Sequence, residues 1–194
     1  MPTKALCQTL DQRKEPSGHD SLCKLPFLPL GDFPILFHSV KSGIEEATTT
    51  KSRRNLAEVD VVVKYVNLCL QQQIKEKDIG IIAPYKFQAE KIRSCLKNNP
   101  EVTVATVERF QGSERRVIII STVRTSGDLR FVTDNLRINT TITRAKHLLI
   151  IVGNEECLKT DSTWKKIINF CADNRSFINS FRDEIVHTQQ NRRQ

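Results

Sequence analysis

Three apolar runs limit what this chain can fold into. Asp78 to Ala83, Arg116 to Thr122 and His147 to Val152 are each dominated by Ile, Leu and Val. Val117, Ile118, Ile119 and Ile120 follow one another without a polar residue between them. A run that does not alternate reads as a strand covered on both faces, the kind found in parallel sheets. Ile35 to Val40 and Val102 to Thr106 are shorter strand candidates, and Lys41 to Arg54, polar and rich in Thr and Ser, reads as a loop. Helical segments separate the runs. The first spans Asn55 to about Gln73, with Val59, Val62, Val63, Val66 and Leu70 on one face. Asn55 is its N-cap, and Glu58, three positions on, suits a capping box. Others start at Pro84, run over 134–145, and pass through Trp164, Ile167, Ile168 and Phe170. Strands alternating with helices predict an α/β domain: a mostly parallel sheet with helices on both faces. Ligands of such sheets gather at the carboxyl ends of the strands, where the polar segments following each strand are expected to lie.

The length of 194 residues suits one such domain with polar ends. Residues 1–30 read as an irregular lead-in, 31–180 as the folded domain and 181–194 as a polar tail. The formal charge of +8, from 30 Lys and Arg against 22 Asp and Glu, suits a polyanionic partner and equally a basic protein without one. The six cysteines are widely scattered, none in C-x-x-C spacing, and read as reduced thiols. Met1 to Leu10 lacks the apolar run of a signal peptide. No segment reaches the roughly 20 apolar residues of a membrane span. A cytoplasmic location is expected, with the nucleus left open, and no membrane partner.

Four segments carry the chemistry. In the first, Pro84, Tyr85 and Gln88 stand where a strand ends and a helix begins. A helix N-terminus offers free N–H groups to phosphate, although an ordinary turn fits as well. The second runs from Thr106 through Phe110, Gln111 and Gly112 to Glu114. Glycine allows close backbone approach, Gln111 can donate and accept, and Glu114 can accept from a ribose hydroxyl; a solvated turn is the alternative. In the third, Arg124 either meets phosphate or pairs with an acid such as Glu108. The fourth spans Asn139 to Lys146. Its Arg144 could stabilise charge on a transferring phosphoryl group, or be a cation favoured at a helix C-terminus.

In this order the segments resemble motifs IV, V and VI of superfamily 1 helicases. The likeness is to the branch holding the nonsense-mediated decay helicase and the RNA-silencing helicases called Armitage and Moloney-leukaemia-virus-10-like. Pro84, Tyr85 and Gln88 match motif IV. Thr106, Val107, Glu108, Phe110, Gln111, Gly112 and Glu114 match motif V. Arg137, Asn139, Thr143, Arg144, Ala145 and Lys146 match motif VI. The resemblance covers roughly residues 25–178. It implies a single RecA-like domain, the second of the two in such a motor. It implies that Gln111, Gly112, Glu114 and Arg144 face the nucleotide, with Arg144 as the catalytic arginine finger. Pro84, Tyr85, Gln88 and Thr106 would lie toward a nucleic-acid backbone. The implied partners are single-stranded RNA, with DNA left open, and the first RecA-like domain of the same helicase.

The sequence departs from the pattern in instructive places. No G-x-x-x-x-G-K-(S/T) phosphate loop occurs, nor an acidic Mg²⁺-binding segment at a strand end. ATP and Mg²⁺ are therefore expected in the full-length helicase and none on this chain alone, and no metal ligands are assigned. The chain is expected to begin just after the first motor half. Leu136 stands where the first arginine of motif VI is usual, Thr140 and Thr141 replace Val-Ala, and the stretch from Arg124 to Asn135 is short. The function implied is the second motor domain of an ATP-dependent RNA helicase, incomplete without the other half. The alternative is a catalytically inactive RNA- or partner-binding fragment or isoform.

Overall fold

The computed structural model describes residues 22, 25–29, 33–110, 113–127, 129, 132 and 134–179. Six strands form one parallel sheet: β1 (Ile35–Ser39), β4 (Ile79–Ile82), β5 (Thr103–Ala105), β6 (Arg115–Ser121), β7 (Ala145–Gly153) and β8 (Phe177–Ile178). Their order is β5-β4-β6-β7-β1-β8, and every pairing between them is parallel. The expected α/β architecture is thus the observed one. The helices are α1 (Leu56–Gln71), α2 (Lys86–Cys95), α3 (Asn135–Ile142), α4 (Glu155–Leu158) and α5 (Ser162–Asp173).

The apolar runs lie where their composition requires. Along β6, Val117 and Ile119 face one core with Ile79, Ile81, Leu148 and Ile150. Ile118 and Ile120 face the other with Ile35, Phe37, Leu149 and Ile151. Val59, Val62, Tyr65 and Val66 of α1 and Ala89 and Ile92 of α2 cover the first face. Ile138 and Ile142 of α3, Leu158 of α4 and Trp164, Ile167 and Ile168 of α5 cover the second. Each strand residue is therefore buried whichever way it points, and the hydrophobic effect gives no reason for alternation. Leu22, Leu25 and Leu28 also join the first core, and the Phe27 ring packs tilted against Tyr65, centroids 5.9 Å apart. The core thus draws on residues expected to be a lead-in. The expected tail, 181–194, lies outside the described residues.

Two strands fall where a loop is expected. β2 (Glu45–Ala47) and β3 (Arg53–Asn55) form an antiparallel hairpin. Cross-strand ion pairs join Glu45 to Arg53 and Glu46 to Arg54. Polar pairing rather than apolar alternation makes this hairpin, so hydrophobic periodicity does not report it.

Helix caps fix the starts of four helices, Asn154 capping α4 by accepting from Cys157 N. Asp134 accepts from the N–H groups of Leu136 and Arg137, and Asp161 from those of Thr163 and Trp164. Asn55 caps α1 as expected, its side chain accepting from Glu58 N at 3.3 Å. The reciprocal half of the capping box is absent. Asn55 N donates instead to Gln88 Oε1 at 2.9 Å, and the Glu58 carboxyl turns inward.

Candidate functional site

At the carboxyl ends of β4 and β6 a buried polar cluster joins four segments. Gln88 of α2 is fully buried. Its Nε2 donates to Asn55 O at 3.2 Å and to Ser121 Oγ at 2.9 Å, while its Oε1 takes the Asn55 N–H. Glu58 Oε2 accepts from Ser121 Oγ at 2.6 Å and from Val123 N at 2.8 Å. Burial pushes the Glu58 carboxyl up to about 8, against these hydrogen bonds, which favour the charged form. At neutral pH this carboxyl is predominantly protonated. Val123 has a φ of 73°, rare for a β-branched residue, and Asn55 Nδ2 donates to its carbonyl at 3.4 Å.

Arg124 extends the cluster toward the surface. Its Nε donates to Glu45 Oε2 at 3.1 Å, Nη1 to the Tyr85 hydroxyl at 3.3 Å and Nη2 to Ser126 O at 2.6 Å. The acid it finds is Glu45 of the hairpin. Glu108 pairs with Arg137 instead, at 3.2 Å. This places the expected strand-facing residues unequally. Tyr85 is largely buried and Gln88 wholly so, with both ends of its amide occupied. Gln88 therefore ties the start of α1 to the end of β6. Pro84 lines an open cleft, and Thr106, following β5, is half-buried.

The remaining residues gather at the opposite edge. Glu114 precedes β6 and Arg144 precedes β7, and Arg115 N donates to Arg144 O at 3.1 Å. These are amino ends of strands. The expectation that all the polar segments share the carboxyl ends is thus corrected: motif VI crosses the domain along α3 and delivers its arginine to the far edge. Arg144 is half-buried and its conformation is fixed by the end of that helix. Its Nε donates to Thr140 O at 3.0 Å and Nη2 to Thr143 Oγ1 at 3.3 Å. Carbonyls at a helix C-terminus carry partial negative charge, which favours a cation there. Lys146 Nζ lies 3.8 Å from Glu114 Oε2, both side chains about half exposed. Gln111 and Gly112 lie outside the described residues. A guanidinium has five N–H donors, so these two bonds leave donor capacity on Arg144 for an anion.

A cleft opens between the carboxyl ends of β4 and β6 and α3. It holds about 390 Å³ of empty space, part of it open to solvent, and its walls include Pro84, Val107, Thr122, Arg137 and Trp164. Motif patterns mark Pro84, Val107 and Arg137, but nothing local in the sequence marks Thr122 or Trp164 as neighbours.

Residues 8–156 match the family model described as an AAA domain. Over 180 residues the chain is 39% identical to the helicase mov-10-B.1 of Danio rerio, covering 80% of this chain and 18% of that protein. It is 36% identical to the human RNA helicase Mov10l1 over 173 residues, 82% of this chain and 14% of that one. Against the Drosophila melanogaster homolog of regulator of nonsense transcripts 1 it is 30% identical over 188 residues, 89% of this chain and 16% of the other. The chain thus spans less than a fifth of the length of these relatives. It belongs to the AAA domain family, and over most of its length it is similar to these helicases.

Proposed function

We propose that this chain is the second motor domain of an ATP-dependent RNA helicase, acting in the cytoplasm and in RNA silencing. Residues 31–180, with Leu22, Leu25 and Leu28 packed into their core, form the working unit. The observation that carries the reading is Arg144. Thr140 O and Thr143 Oγ1 hold its guanidinium at an edge it shares with Glu114 and Lys146. A guanidinium fixed before ATP arrives needs no reorganisation when charge develops on the γ-phosphoryl group. Glu114, with Gln111 and Gly112 ahead of it, would face the ribose and γ-phosphate. The P-loop half would supply the triphosphate cradle.

On the opposite edge, Pro84, Tyr85 and Thr106 stand at the strand ends over which single-stranded RNA would run. Gln88 acts behind them as a positioning residue. Mg²⁺ accompanies ATP in this family and supplies charge neutralisation there. Among the described residues no group of three or more His, Cys, Asp or Glu could hold such an ion. No step here depends on such an ion. No helix among the described residues is long and apolar enough to cross a membrane.

Two measurements test the reading. The purified chain alone is expected to leave ATP intact; turnover that Arg144→Ala abolishes would show a complete site on this chain and overturn the proposal. Binding of labelled single-stranded RNA is expected at low salt and to weaken as salt rises, because phosphate contacts release counterions. No binding at low salt would remove the strand-binding half of the proposal.

A further inference from the structure

Arg115 opens β6 and is turned away from the course of its own strand. On a regular strand, residues two apart share a face. Val117 points into the first core, yet the Arg115 stem lies on the other side, over Gly80 of β4 with Phe110 and Ile118 of the second core. The pairing of β6 with β7 shifts register between these two residues. Such irregularities re-aim side chains and are frequent beside functional sites. A Cβ on Gly80 would come 3.0 Å from Arg115 Cγ and 2.5 Å from the Phe110 ring. The bare backbone at Gly80 thus gives the Arg115 stem and the Phe110 ring their seat.

From this seat the guanidinium meets both ends of the turn that leads into β6. Its Cζ stands 5.8 Å from the centre of the Phe110 ring, and Nη1 donates to Glu114 O at 2.8 Å. Nη2 donates to Thr103 Oγ1 of β5 at 3.1 Å. Between those ends Ser113 N donates to Phe110 O at 3.1 Å. The Arg115 N–H, in turn, is the one that holds Arg144 O. One residue therefore touches Glu114 through its side chain and Arg144 through its backbone. The Glu114 carboxylate lies 3.8 Å from Lys146 Nζ, a half-exposed pair that solvent screens. Such a pair does not fix a carboxylate by itself, so its placement rests on the backbone that carries it.

We propose that Arg115 is the positioning residue of the nucleotide edge: its guanidinium sets Glu114 in place for the ribose, beside the Arg144 that its own N–H holds. The inference rests on the assignment of Glu114 to the ribose of ATP and deepens it. Arg115 itself touches no substrate. Its action is geometric, and geometry counts here because a misplacement of about 1 Å can cost about 10²-fold in rate. Arg115 follows the last matched residue of motif V, so the motif pattern does not mark it.

Two measurements test it. Arg115→Met keeps the stem over Gly80 and removes the guanidinium. In the full chain, hydrogen exchange at the Ser113 amide should quicken in this variant while exchange along β4 stays as it was. Unchanged exchange at Ser113 would overturn the inference. The second measurement is RNA-stimulated hydrolysis by the Danio rerio relative carrying this chain in place of its matching segment. It compares ATP with an analogue lacking both ribose hydroxyls. The parent is expected to favour ATP about tenfold in kcat/KM, the effect of one hydrogen bond to a charged group. Arg115→Met should raise the KM for ATP about tenfold, leave that of the analogue unchanged and bring the two nucleotides within about twofold. Its kcat should stay within a few-fold, because the backbone bond to Arg144 survives. Arg115→Lys, which keeps a charged donor, should restore part of the preference, and it carries the same comparison if Arg115→Met does not fold. A loss equal for both nucleotides, or no loss, in a folded variant would overturn the inference and leave Glu114 assigned to the ribose. A parent that does not distinguish the nucleotides would overturn that assignment and the inference with it.

Discussion

Glu58 couples its protonation to the stability of the whole domain. An unfolded carboxyl ionises near 4.5, whereas in the folded chain this one holds its proton up to about 8. Between those values the unfolded state has lost a proton that the native state keeps. Its contribution to stability is therefore complete below about pH 4.5 and lost as pH rises toward 8, at up to about 1.4 kcal/mol per pH unit. Glu58→Gln removes the titration and can keep an acceptor for Val123 N. Urea unfolding across this range should give the variant a flatter dependence than the parent chain; parallel curves would contradict the burial argument. Glu58→Ala leaves the Val123 N–H and Ser121 Oγ without an acceptor and should cost about 2–3 kcal/mol. The sequence marks Glu58 as a capping residue and is half right, since Asn55 does cap α1. The other half fails because Gln88, 33 positions away, takes the Asn55 N–H. A local spacing rule has no means of anticipating a competitor that arrives through the fold.

At the scale of elements, the central strands and the helices with an apolar face are legible, and the small polar pieces are not. Val117 to Ile120 can be read because burial on both faces leaves a composition no loop would carry. The β2–β3 hairpin escapes because its pairing is ionic. Two acids at 45–46 and two arginines at 53–54, on either side of a Thr-rich turn, are the signal that could have revealed it. The two pairs are unequal. Glu45 is buried and also holds Arg124 and the Thr125 N–H, whereas the Glu46 side chain is 42% exposed. Breaking a buried pair strands its partner, so Glu45→Gln should cost about 3 kcal/mol in denaturant unfolding. Glu46→Gln should change stability by less than about 1 kcal/mol, as solvent screens its pair. Equal costs would mean that the hairpin, rather than the Glu45–Arg124 link, holds this end of the domain.

For the whole molecule, the sequence conveys the identity of the motifs better than their placement. Motif spacing points to Arg144 and Glu114, but the expectation of one ligand face at the carboxyl ends does not survive. α3 lines the cleft from Arg137 to Ile142 and Arg144, just beyond it, stands at the amino edge, so a motif contiguous in sequence has residues facing both. Arg137 lies in the helix and Arg144 just past its C-cap, Thr143. Leu136, where the related pattern has arginine, is 77% exposed and holds no place in the core. Restoring a cation with Leu136→Arg should leave the melting temperature within about 2 °C, since exposed substitutions away from caps and networks rarely exceed about 0.5 kcal/mol. A large change in melting temperature would show that this position packs against something.

The central claim is that Arg144 stabilises transferring phosphoryl charge for a P-loop supplied by the other motor half. Its most direct test is the kcat for RNA-stimulated ATP hydrolysis in the Danio rerio relative, with the matching segment replaced by this chain. Arg144→Ala is expected to lower kcat by about 10³- to 10⁵-fold while the fold and strand binding persist. A kcat within a few-fold of the parent, in a protein that still hydrolyses ATP on RNA, would contradict it.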